Sequence, residues 1–179
     1  MKKNYFTSFL ILVSFFVHAQ PTKQTLLPNG WSLTPAGKSL PLGDLPLNIA
    51  VSTTKKFIAV TNNGESTQSI QLIDAVNDKI LDSIDIPKSW LGLKFSKDEK
   101  YLYASGGNDN WILKYAIVNN KLILNDSIKL GAKWPFIICP GGFDMDDEKQ
   151  KLYVVTKENN SLYTVDIATK KNRFHSFEC

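Results

Sequence analysis

Ser83-Ile84-Asp85-Ile86-Pro87-Lys88-Ser89-Trp90 returns 44 residues later as Ser127-Ile128-Lys129-Leu130-Gly131-Ala132-Lys133-Trp134, and Ser39-Leu40-Pro41-Leu42-Gly43-Asp44-Leu45-Pro46 stands 44 residues before it. A fixed period of this length, carrying strand-like segments, marks a repeat architecture in which each unit is one small antiparallel sheet. Working outward, Leu47-Asn48-Ile49-Ala50-Val51-Ser52 matches Leu91-Gly92-Leu93-Lys94-Phe95-Ser96. The third copy, Gly141-Gly142-Phe143-Asp144-Met145-Asp146, is delayed by the insertion Pro135-Phe136-Ile137-Ile138-Cys139-Pro140. Each copy then passes through a polar turn into a run rich in branched and aromatic residues: Phe57–Thr61, Tyr101–Ser105 and Lys151–Thr156. Such runs bounded by turn formers read as strands and hairpins.

A second polar loop follows (Asn62–Ser66, Gly106–Asn110, Lys157–Asn160), then a third strand (Ser69–Asp74, Trp111–Tyr115, Ser161–Asp166) and a turn into a fourth. Two of the fourth strands share Asp82-Ser83-Ile84 and Asp126-Ser127-Ile128. Four short strands per unit predict an all-β fold, a partial β-propeller of about three four-stranded antiparallel blades. A β-sandwich is also all strand, but it does not repeat its sequence every fourth strand. The blades are expected near 44–87, 88–131 and 132–179. Upstream, Trp31–Thr34 and Lys38–Leu42 around Pro35-Ala36-Gly37 predict a hairpin, so that 20–43 would complete a blade.

The start of the chain has another character. Lys2 and Lys3 precede an apolar run from Phe9 to Val17, and His18-Ala19 stands before Gln20. A basic start, a short apolar centre and a small residue at the cut describe a secretory signal peptide over 1–19. The run is too short to span a bilayer, so an exported chain, periplasmic or extracellular, is expected, with no membrane span after cleavage. Loss of the two lysines lowers the formal charge from +4 to +2, which calls for neither nucleic acid nor an anionic membrane as partner. Cys139 and Cys179 carry no spacing signal; a pair in an oxidising compartment and two unpaired thiols both remain open.

The repeat resembles the YVTN-type β-propeller repeat on Leu42-Gly43-Asp44-Leu45-Pro46, Phe95-Ser96-Lys97-Asp98-Glu99-Lys100, Leu152-Tyr153-Val154-Val155-Thr156 and Leu72-Ile73-Asp74. More narrowly, Leu27-Pro28-Asn29-Gly30-Trp31, Pro35-Ala36-Gly37, Val60–Gly64 and Ala104–Asn110 resemble the N-terminal, YncE-like propeller of exported two-part proteins that also carry an alkaline-phosphatase-superfamily phosphoesterase domain. The resemblance implies a ring of seven blades, of which this chain would be a fragment, and a downstream hydrolase domain in the full-length protein. Thr53-Thr54-Lys55 departs from the family's Pro-Asp-Gly turn, and the insertion at 135–140 interrupts the third copy.

Catalytic patterns are scarce. Beyond the leader the sequence has one histidine, His175, so neither a His-dependent triad nor a multi-His metal site can be assembled from it. There is no Gly-x-Ser-x-Gly elbow, phosphate loop or Cys-x-x-Cys pair, and the acidic run at Asp144, Asp146, Asp147 and Glu148 lacks the spacing of a calcium loop. No catalytic residue, metal or cofactor is therefore expected. Candidate ligand-binding residues lie where propeller loops converge on one face: Asn63, Lys88, Trp90, Asn108, Asp109, Lys133, Trp134 and Asn160, with Asn110 and Asn159 beside them. Aromatic platforms next to amides suit a small polar or carbohydrate ligand. The same pattern also reads as two tryptophans wedged between blades and asparagines that supply turn geometry. Propeller enzymes of lactonase or quinone-cofactor type are the alternative, with Glu65, Asp109 and Glu158 the loop carboxylates for it; a scaffold recruiting another chain is a third reading.

Overall fold

The computed structural model describes residues 25–33, 37–132 and 135–177. The chain divides into two compact units, 1–39 and 40–179. In the first, β1 (Thr25–Leu26) pairs with β2 (Ser32–Leu33). Their turn is built on Asn29-Gly30: the Trp31 N–H donates to Asn29 Oδ1 at 3.1 Å, and Gly30 takes a left-handed φ of 81°. The sequence placed the hairpin turn at 35–37 instead, which lies partly outside the described residues, and Lys38–Leu42 forms no strand. Pro41 has no N–H to give to a ladder, whereas Asn-Gly supplies the backbone conformation a tight turn needs.

The second unit holds three four-stranded antiparallel sheets in chain order. Blade 1 is β3 (Pro46–Val51), β4 (Phe57–Asn62), β5 (Ser69–Asp74) and β6 (Lys79–Asp85). Blade 2 is β7 (Leu93–Phe95), β8 (Tyr101–Ser105), β9 (Trp111–Val118) and β10 (Lys121–Lys129). Blade 3 is β11 (Pro140–Asp146), β12 (Lys151–Thr156), β13 (Ser161–Asp166) and β14 (Asn172–Ser176). First strands neighbour first strands (β3 with β7, β7 with β11), and β6 lies beside β10. This is the radial stacking of propeller blades. Among the described residues the one helical segment is a short 3-10 turn, Gly107–Asp109.

Strand alternation gives every blade two faces, and each seam is an apolar core. Ile70 and Leu72 of β5 meet Leu102, Ala104 and Leu113 of blade 2, all with at most 3 % exposure. Tyr103 and Ile112 on the other face of blade 2 meet Leu152, Val154 and Val165 of blade 3. Full burial of one such side chain contributes about 1.5–3 kcal/mol.

Polar links repeat around the stack with the sequence. On the outer strands, Asp82 accepts the Lys121 ammonium at 2.9 Å and the Leu122 N–H at 2.8 Å, and Asp126 accepts Lys170 at 2.5 Å. At the first-to-second-strand turns, Thr54 Oγ1 donates to Glu99 at 2.8 Å and the Lys97 N–H to Asp147 at 3.1 Å. The register slip at Leu81 in β6 recurs at Asn125 in β10, 44 residues on, and has no counterpart in β14. Lys55 and Glu99 hold the same position in the first-to-second-strand turns of blades 1 and 2 and adopt φ of 60° and 57°, the left-handed conformation that glycine would adopt without a Cβ penalty.

Candidate functional site

The loops after the second strands and the links between blades come together at one end of the unit. The connection Pro87–Gly92 runs across the 3-10 turn of blade 2: a Cβ on Gly107 would lie 3.3 Å from the Ser89 carbonyl oxygen, and Gly107 has φ +51°. A Cβ on Gly106 would fall inside the Trp111 indole. Both glycines are thus required by backbone approach and packing, the bland alternative to an anion grip.

Most of the amides on this face are committed to structure. Asn63 is half-buried; its Oδ1 accepts Ser89 Oγ–H at 3.0 Å while its N–H donates to the Leu45 carbonyl at 3.1 Å. That ties the loop of blade 1 to the link into blade 2. Asn110 is fully buried in the left-handed region, with φ 59°. Its Nδ2 donates to the carbonyls of Ala132 and Phe136, and its Oδ1 accepts the N–H groups of Ile138 at 2.9 Å and Cys139 at 3.0 Å. One side chain therefore anchors the insertion of the third repeat. Asn160 is a turn residue with φ 46°, and its carbonyl accepts the Phe177 N–H at 2.9 Å. Asn159 donates to the Tyr163 hydroxyl at 3.0 Å.

Trp90 is different. It is half-buried, and the Lys157 ammonium from blade 3 stands 5.9 Å from its ring centroid, within reach of a cation–π contact. Lys157 also pairs with Glu158 at 2.9 Å, and that hydrogen bond raises its pKa further from neutrality. Nearby Cys139 is buried, which pushes its thiol pKa up; Cys179 lies outside the described residues. The loop backbone closes the arrangement, with Lys157 N–H on the Cys139 carbonyl at 3.0 Å and Glu158 N–H on that of Ile138 at 3.2 Å.

Of the residues flagged from sequence, Trp90 joins this cluster; Lys88 is exposed, and the 3-10 turn itself carries exposed Asn108 and half-buried Asp109. Lys133 and Trp134 lie outside the described residues. Sequence reading passed over Lys157, although it occupies the repeat position of Asn63 and Gly107, immediately after the second strand. The arrangement offers one aromatic face, one ammonium and one carboxylate, a set for stacking and hydrogen bonding. Among the described residues no three His, Cys, Asp or Glu side chains come together as metal ligands.

No family model matches the chain, and no curated protein matches it. Solved structures do match. Hydrazine synthase of Kuenenia stuttgartiensis is similar over 80 % of this chain and 40 % of its own, with TM-score 0.61 and 17 % identity. The β-propeller domain of Cps50 (Swd1) from Myceliophteria thermophila is similar over 73 % of this chain and 40 % of its own, at TM-score 0.59 and 14 % identity. The WD40 repeats of RRP9 are similar over 77 % and 41 %, at TM-score 0.61 and 15 % identity. The class is therefore that of β-propellers: the chain is a partial propeller, and it spans about 40 % of the length of the solved structures it matches.

Proposed function

We propose that the chain is a non-catalytic, exported β-propeller module of YVTN, YncE-like type that binds a small polar or carbohydrate ligand at the end of the blades carrying Trp90. The observation that supports this most is Trp90 itself, half-buried with Lys157 over its ring while the neighbouring amides of Asn63 and Asn110 are used to hold loops. A platform that keeps one face near a Lys-Glu pair suits a flat polar ring, stacked on the indole and hydrogen-bonded at its edge. The test is a carbohydrate array followed by calorimetry. Binding by the chain that falls at least about tenfold in Trp90→Ala, and less in Lys157→Ala, supports the reading; binding that ignores Trp90 removes it.

The Pro28-Asn29-Gly30-Trp31 and Gly106-Gly107-Asn108-Asp109-Asn110 segments favour a second reading, in which the propeller is the N-terminal, non-catalytic part of a longer metal-dependent phosphoesterase. Sequencing the gene past the codon for Cys179 tests it. Further repeats followed by a hydrolase domain support it, and a stop codon with neither overturns it. Export is tested by the mass of the mature N-terminus, with Gln20 expected first.

A further inference from the structure

The two seams between blades differ at one matched place. In the first, Ala59 stands opposite Leu72, both fully buried in the same core as Phe57 and Phe95. In the second, the same register pair is Tyr103 opposite Lys114, and the positions of Phe57 and Phe95 are taken by Tyr101 and Met145. The seam is open here: a cavity of about 340 Å3 lies between blades 2 and 3, lined by Tyr101, Tyr103, Lys114 and Met145, with Asp98 and Asp147 among them. It sits at the first-to-second-strand turns, whereas Trp90 and Lys157 lie at the loops after the second strands.

A lysine where the first seam buries a leucine is not what packing requires. Its ammonium is half-buried and stands 3.8 Å from the Tyr101 ring centroid and 5.6 Å from that of Tyr103. Ring faces attract a cation, but they give its three N–H donors no oxygen to bond. Among the described residues no carboxylate comes within ion-pair distance of it, and Asp126, opposite it on the ladder, is held by Lys170. Tyr103, with 3 % exposure, adds a phenol O–H to the same cavity. Burial, and after it the field of Asp147, keeps that hydroxyl protonated, with its pKa pushed up to about 12. An ammonium and a phenol thus converge on one space, and what completes them is an acceptor that carries negative charge.

The rest of the lining narrows the choice. Asp98 accepts the Ser96 hydroxyl at 2.7 Å and the Lys100 N–H at 3.1 Å, and Asp147 accepts the Lys97 N–H at 3.1 Å. Two carboxylates beside the ammonium count against a doubly charged anion such as phosphate. Met145 and the tyrosine rings supply apolar contact for a carbon body. We propose that this cavity binds the carboxylate of a small organic acid, with the Lys114 ammonium and the Tyr103 hydroxyl on its oxygens and its apolar body against Met145. The site is independent of the ligand reading at Trp90, because it uses none of the same residues.

The test is calorimetry on the full chain with benzoate and hexanoate, each beside its uncharged amide, and with inorganic phosphate. The expected result is saturable binding of at least one of the two acids at one site per chain, with its amide and phosphate at least about tenfold weaker. Lys114→Leu, which installs the residue of the first seam, should abolish binding while thermal unfolding stays at or above that of the parent chain, since an apolar side chain replaces a half-buried charge. Tyr103→Phe should weaken binding at least about fivefold through loss of one O–H. If Lys114→Leu loses stability, Tyr103→Phe and the amides decide. Acids that do not bind, that bind no better than their amides or phosphate, or that bind a folded Lys114→Leu as well as the parent chain would each overturn the proposal.

Discussion

The two seams between blades share their outer fastenings and differ in what fills them. The seam between blades 1 and 2 is closed by aliphatic side chains and Phe57, Phe95 and Tyr115 around Leu72 and Leu102. The seam between blades 2 and 3 places Tyr103 and Tyr163 among the aliphatics, with Lys114 3.8 Å above the Tyr101 ring at its rim, and it carries the insertion held by Asn110. Burial drives the Tyr103 and Tyr115 hydroxyl pKa values up to about 12, so both stay neutral further into alkaline pH than an exposed tyrosine. The repeat dictates backbone path and surface links; the filling of each seam is free to drift as long as volume and apolarity are kept.

The largest effect is expected in the first seam. Leu72→Ala, at a site with no exposure, should destabilise the chain by about 3 kcal/mol in urea denaturation, from lost transfer energy and the cavity left behind. A value under about 1 kcal/mol would mean that this seam collapses around the loss and is not tightly packed.

The second seam should respond most to a polar change. Asn110→Ala deprives the Ile138 and Cys139 N–H groups of their acceptor and two carbonyls of a donor, and about 2 kcal/mol is expected, with faster hydrogen exchange confined to 132–139. Exchange that stays slow in that segment would show that the insertion is held by other contacts.

The shared fastenings predict a common acid response. The Lys170 hydrogen bond lowers the Asp126 pKa; at Asp82 burial works the other way, but the Leu122 N–H and Lys121 outweigh it. A folded-state pKa below the unfolded one gives stability that is present above the unfolded value near 4 and is lost as pH falls through the folded value. Stability should therefore drop below about pH 4, and Asp82→Asn with Asp126→Asn should flatten that drop. An unchanged acid profile in the double variant would assign the drop to other carboxylates.

The smallest effect is at the turns. Lys55→Gly removes the left-handed penalty at the cost of a more flexible unfolded chain, leaving a gain of at most about 1 kcal/mol. A loss of stability would show that the lysine stem contributes packing that outweighs the turn.

Much of the fold was legible because a period repeats both turn chemistry and strand pattern. A turn was expected after each third strand, and at two of those turns the closing aspartates, Asp74 and Asp166, accept the N–H groups of Val76 and Thr169 at 2.9 and 2.8 Å. The hairpin at 25–33 was less legible, because two turn signals stood close together and local sequence did not rank them. The site was legible only in outline. Asn63, Asn108 and Asn110 look alike in sequence, yet one fastens two loops, one is exposed and one holds an insertion from its centre. An asparagine's role depends on which polar groups arrive opposite its amide, and those come from segments more than 20 residues away.

By itself the sequence determined the all-β repeat, its period, the place of the third-repeat insertion and the turns within the blades, since each follows from local alternation and local backbone preference. Only the tertiary structure decided that Lys157 reaches Trp90 and that Asp82 and Asp126 meet lysines of the next blade. Contacts between blades join residues about one repeat apart, and their energy depends on distance and desolvation, which the order of residues along the chain does not carry.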